Sequence, residues 1–90
     1  MVKFKAKIDG EKIILETIDG KPIQVREIIV KYSVSSTSPS EERTRRVISD
    51  SLMVEKGITK FEIPTKGLDV VGISVIYKEG EQTLREDLNI

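Results

Sequence analysis

β-Branched aliphatic residues dominate the apolar content of this chain: isoleucine and valine together number 22 of 90 residues, against five leucines and one alanine. Helices favour alanine and leucine, whereas a pleated strand accommodates branching at Cβ. An apolar set of this kind points to strands, and the spacing agrees. Val2, Phe4, Ala6 and Ile8 alternate with Lys3, Lys5 and Lys7, the period of a half-buried strand with a lysine face. Thr59, Phe61 and Ile63 alternate with Lys60 and Glu62 and stop at Pro64. Val71, Ile73, Val75 and Tyr77 alternate with Gly72, Ser74 and Ile76. Leu84, Leu88 and Ile90 alternate with polar residues, and Glu86 stands in phase with them. A charged residue in an apolar register marks an imperfect or edge strand.

Turn chemistry separates these segments. Ile-Asp-Gly-x-x-Ile occurs at 8–13 and again at 18–23, and Asp-Gly suits tight hairpin turns. The first three strands, 2–8, 12–18 and 23–34, are therefore expected to form a meander. Within the third, Ile23 and Val25 are odd-numbered while Ile28, Val30, Tyr32 and Val34 are even-numbered. A one-residue slip turns side chains to the opposite face, so Arg26-Glu27 is expected to mark a bulge. Lys78-Glu79-Gly80-Glu81 reads as a turn, and Ser35 to Ser40 as a polar loop.

Residues 41–54 admit two readings. Ser38-Pro39-Ser40-Glu41 resembles a helix start, Glu41–Arg45 and Glu42–Arg46 have i,i+4 spacing, and Gly57 could stop a helix. Against this, Val47 to Val54 contains few strong helix formers, and strand is the preferred assignment. The expected fold is all-β: an antiparallel sandwich of six to seven strands in one domain, residues 1–90. The alternative is α+β, with one helix at about 39–56.

The stretches Ile29-Val30-Lys31-Tyr32-Ser33-Val34, Gly57 to Pro64 and Ile73-Ser74-Val75-Ile76-Tyr77 resemble the later strands of fibronectin type III and related immunoglobulin-like sandwiches. The resemblance covers about half the chain. It implies an immunoglobulin-like architecture and a role in adhesion, scaffolding or protein binding, and it carries over no catalytic residue.

Composition narrows function mainly by exclusion. Without cysteine or histidine the chain has no disulfide, no thiolate or imidazole metal ligand and no imidazole base. Ser33, Ser35, Ser36, Thr37, Ser38 and Ser40 are rich in hydroxyls but have no histidine to activate them. Glycosidase-type carboxylate pairs would need a cleft with stacking aromatics, and the chain has four Phe and Tyr residues in all. The chain is expected not to be an enzyme and to need no cofactor. Basic and acidic residues balance at 15 each, so nucleic acid or an anionic membrane is not favoured as a partner. No apolar run reaches the ~20 residues of a membrane span. The chain is expected to be cytoplasmic, unless it is a fragment of a secreted or surface protein. The high charge content, without cysteine and with little Asn or Gln, recurs in heat-adapted proteins.

Four clusters can be weighed for binding. Asp9, Glu11 and Asp19 could be calcium ligands, but the aspartates read better as turn formers. Arg43, Arg45 and Arg46, with Lys56 and Lys60, could hold phosphates of an anion or nucleic acid. Their simpler role is a solvated face neutralised by Glu41 and Glu42. Lys3, Lys5 and Lys7 could meet an acidic partner, and more simply guard an edge strand. Leu84, Leu88 and Ile90 lie in a last strand without lysine or proline, the expected edge for strand addition to a protein partner or a second copy. The function expected is a non-catalytic structural or protein-binding module, with anion or nucleic-acid binding through Arg43–Arg46 as the alternative.

Overall fold

A computed structural model describes the backbone of residues 3–37 and 43–89, and the side chains of 3–34 and 46–89. Among the described residues seven strands form: β1 (Phe4–Asp9), β2 (Lys12–Thr17), β3 (Ile23–Thr37), β4 (Arg43–Ile58), β5 (Lys60–Pro64), β6 (Asp69–Glu79) and β7 (Gln82–Asn89). They make two antiparallel sheets, ordered β1-β2-β5 and β4-β3-β6-β7. The chain is all-β, as expected. Among the described residues the helix alternative fails, because residues 43–58 are strand. Gly57, weighed as a helix stop, lies in β4 just before the chain changes sheet at Thr59.

Alternation builds the core from both sheets. Phe4, Ile13, Leu15 and Ile63 come from one, and Val25, Ile28, Val30, Tyr32, Ile73, Val75 and Tyr77 from the other. Phe4 and Tyr77 meet edge to face across the sandwich, with ring centroids 5.3 Å apart, a favoured aromatic arrangement. Phe61 and Leu84, which the alternation puts in phase with the apolar face of their strands, are only partly buried against the core. Phe61 lies on β5, at a sheet edge, where Lys56 Nζ sits 5.7 Å from its ring centre.

The bulge at Arg26 is present. On β4, Val25 pairs with Lys56 and Glu27 with Met53, so Val54 and Glu55 together oppose Arg26. Glu55 takes a positive φ of 48° there, the left-handed conformation that such an extra residue uses. A second irregularity, between Lys31–Gly72 and Tyr32–Val70, leaves Val71 unmatched on β6. It explains why Val71 is exposed although its spacing from Ile73 and Val75 suggested the core.

The expected three-strand meander does not form. β1 and β2 are a hairpin, but β2 pairs next with β5, and β3 pairs with β4 and β6. The two Ile-Asp-Gly segments thus differ in role. Asp9 faces Lys12 across a two-residue loop, where Gly10 has φ 65°. The β6–β7 hairpin repeats that Gly-Glu loop at Gly80-Glu81. At the second Asp-Gly, Asp19 Oδ1 accepts a hydrogen bond from the Lys21 N–H at 3.0 Å. That local turn and Pro22 carry the chain across to the other sheet.

β3 and β4 outrun everything else. β6 pairs with β3 only as far as Ser33–Asp69, while β3 and β4 continue together to Thr37–Arg43. Residues 35–37, expected in a loop, are thus strand; Ser38 to Ser40 lie outside the described residues. The 16 residues of β4 extend ~50 Å at about 3.3 Å each, close to the 52 Å long axis of the molecule.

Candidate interaction edges

An open two-sheet structure has four edge strands, here β1 and β5 in one sheet and β4 and β7 in the other. Each presents backbone donors and acceptors on one side, and sequence decides whether another chain can use them.

β1 is short and guarded. Its outward positions hold the exposed Lys5 and Lys7, and Lys5 Nζ lies 3.9 Å from Glu16 on the neighbouring strand. Its start is fastened across the sandwich: Glu86 Oε1 accepts from the Lys3 N–H and Oε2 from the Phe4 N–H, both at 2.8 Å. The charged residue that looked out of place in β7 therefore closes the open side between β1 and β7. Lys3 adds an ion pair to Glu79 at 3.7 Å. β5 has five residues and ends at Pro64, and Lys12–Glu62 at 3.2 Å covers its outer face.

β7 is locked to β6 by a polar brace. Ser74 is fully buried, and its hydroxyl donates to Asp87 Oδ1 at 2.6 Å. Arg85 Nε donates to the same oxygen at 2.9 Å, and its Nη2 donates to Ser74 at 3.3 Å. The hydrogen bonds from Ser74 and Arg85 hold the Asp87 carboxyl below the usual carboxylate range. Leu84 and Leu88 pack against the core, so outward positions of β7 are polar. Ile90 lies outside the described residues.

Over its first eleven residues β4 has no counterpart of the Glu86 clamp or the Ser74–Asp87 brace among the described residues. Arg43 to Met53 contains no proline, no lysine and no bulge. Val47 is 62% exposed, Ile48 44% and Met53 66%. Ile48 shares a face with Tyr32, and Asp50 with Val30, by their direct cross-strand pairing. Asp50 Oδ2 meets Lys66 Nζ at 3.3 Å, tying the middle of β4 to the β5–β6 connection.

No family model, curated protein or solved structure matches this chain.

The arginine segment sits at the far end of β4: Arg43 pairs with Thr37, Arg45 with Ser35 and Arg46 with Val34. Lys56 pairs with Val25, ten residues and ~33 Å further along the strand. Arg43–Arg46 and Lys56–Lys60 are therefore not brought into one basic patch. Glu41 and Glu42 lie outside the described residues. Asp9 and Asp19 flank opposite ends of β2, so the weighed calcium cluster is not assembled. Sequence reasoning missed Val47, Ile48 and Met53 as candidate contacts. The available signal was large apolar residues in a charged segment without a period of two.

Proposed function

We propose that this chain is a non-catalytic, immunoglobulin-like sandwich that works as a structural or protein-binding module, with the β4 edge as its contact. The strand order supports the architecture: β1, β2 and β5 take the places of A, B and E, and β3, β6 and β7 those of C, F and G. The fourth strand lies beside β3 instead of joining the first sheet. The observation that carries the function is the contrast among edges. Three are short, lysine-bearing, proline-ended or braced, while β4 is long and displays Val47, Ile48 and Met53. Unguarded edges of this kind accept an added strand through backbone hydrogen bonds, with alternate side chains setting specificity. On this basis β4 is preferred over β7, whose leucines face the core. Arginine at the arm gives its contact a basic end, which suits an acidic protein surface as well as a phosphate.

Photo-crosslinking in the cells that make the chain tests the proposal. A photoreactive residue placed at Val47 or Met53 should yield protein adducts, and one at Lys7 should not. No adduct at either β4 position, or equal yield from Lys7, contradicts it.

A further inference from the structure

We infer that two copies of this chain pair edge to edge through β4, antiparallel, in the register that sets Ile48 opposite its own copy. The inference rests on the proposal that β4 is a contact edge, and names the occupant. A two-fold axis perpendicular to a continuous sheet requires one residue to face itself, and the paired residue numbers then sum to twice that residue's number. Few centres are acceptable. Centring on Arg46 or Asp50 opposes like charges, which is unfavourable for directly facing residues. Centring on Ser49 sets Ile48 against Asp50 of the second copy, and centring on Val47 sets Ile48 against Arg46.

Centring on Ile48 removes these conflicts. Arg46 faces Asp50 of the second copy and Asp50 faces its Arg46, on either side of an Ile48–Ile48 contact. All three residues lie on one face, since Arg46, Ile48 and Asp50 pair with Val34, Tyr32 and Val30 of β3. Lys66 occupies Asp50 Oδ2, so the incoming arginine meets Oδ1. On the other face Val47 stands opposite Ser49.

The bulge sets one limit to the pairing in this register. In this register Arg43 faces Met53, and the next pair would involve Val54, where β4 leaves its regular ladder opposite Arg26. Among the described residues the paired segment then runs over Arg43–Met53 of each copy, with the bulge of one copy beyond each end. The product is one sheet, β7-β6-β3-β4 joined to its symmetry copy, of a size common for twisted open sheets.

Sedimentation equilibrium of the full chain and four variants tests this, with chemical unfolding of each as the check on folding. The wild type should form a dimer. Arg46→Asp and Asp50→Arg should each weaken it about tenfold or more by opposing like charges twice. The double variant R46D/D50R, which restores opposite charges with their order reversed, should recover most of the affinity. Ile48→Lys, which leaves both charges in place, should weaken it as strongly. A dimer indifferent to Arg46→Asp and Ile48→Lys overturns the inference, as does a wild type that stays monomeric up to about 1 mM. If the wild type is monomeric yet Val47 crosslinks to a different protein, self-pairing fails while the protein-binding proposal stands. Absence of both dimer and adduct removes the two together.

Discussion

β1 and β4 are both edge strands, and they are built for opposite ends. β1 has six residues, exposed lysines, and a start held by the Glu86 carboxylate. β4 has 16 residues, with Val47, Ile48 and Met53 exposed among its first eleven and the Asp50–Lys66 ion pair between them. The core draws heavily on the neighbourhood of β1 and hardly at all on the far half of β4. A strand can thus be indispensable to folding and closed to partners, or dispensable to the core and open to them. What separates the two is how far the pairing runs: β6 follows β3 only to Ser33, and the β3–β4 arm continues past it to Thr37–Arg43.

The largest effects should fall on the β1 side. Phe4→Ala removes a ring that is 1% exposed and should cost on the order of 3–5 kcal/mol in chemical unfolding, from lost transfer energy plus a cavity. Phe61→Ala should cost about half as much, because its ring is only partly buried. Met53→Ser on β4 should change stability by less than about 0.5 kcal/mol. Equal losses at Phe4 and Met53 would show that the exposed half of β4 contributes to the core as much as β1 does.

Glu86→Ala leaves the N–H groups of Lys3 and Phe4, at the start of β1, without their charged acceptor and should cost about 2 kcal/mol. It should also speed amide exchange at Lys3 and Phe4, while the β4 amides keep their rates. Unchanged exchange at both residues would show that Glu86 does not hold β1.

Two pH limbs report on the body of the sandwich. Burial, with Glu86 and Glu79 nearby, raises the Tyr77 hydroxyl above its ordinary 10.0, partly offset by Lys3. Burial and Asp50 raise Tyr32, partly offset by Lys66. A raised folded-state value favours the protonated form, so this stability is intact below about pH 10 and is lost as pH rises through the folded-state values. Tyr77→Phe should flatten that loss. Asp87 has the opposite sign: its lowered value favours the ionised form, so its contribution is present above the ordinary carboxylate range and lost as pH falls through the lowered value. Ser74→Ala should shrink the acid limb. Melting curves collected against pH, with no difference between parent and variant on either limb, would contradict both assignments.

The smallest effect is a gain. Thr17 Oγ1 is buried without a hydrogen-bond partner among the described residues, so Thr17→Val, of nearly the same shape, should stabilise by about 1 kcal/mol. A loss of that size in chemical unfolding would reveal a partner for this hydroxyl.

Strand identity was legible wherever one face of a strand is buried and the other is not. Phe4, Ile63, Ile73 and Val75 fell into place by period two, and the phase change at Arg26 located a real bulge. Sheet membership was not legible: the two Ile-Asp-Gly segments look alike locally, and only the pairing of β2 with β5 shows that one is a hairpin and the other a crossing. Val71 was misplaced because its bulge leaves no mark in the alternation. β4 was ambiguous for a physical reason, since a strand covered by core on neither face over much of its length has no cause to alternate. The same lack of cover makes it the candidate site. Glu86 looked like a flaw in β7 because its partners are backbone groups over 80 residues away.

Hydrogen exchange followed at low and high protein concentration reads each edge of the wild-type chain in one experiment. Amides within Arg43–Met53 should gain protection as concentration rises, while those of Phe4–Asp9 and Gln82–Asn89 stay constant. Protection that grows in β1 or β7, and not in β4, would contradict the account.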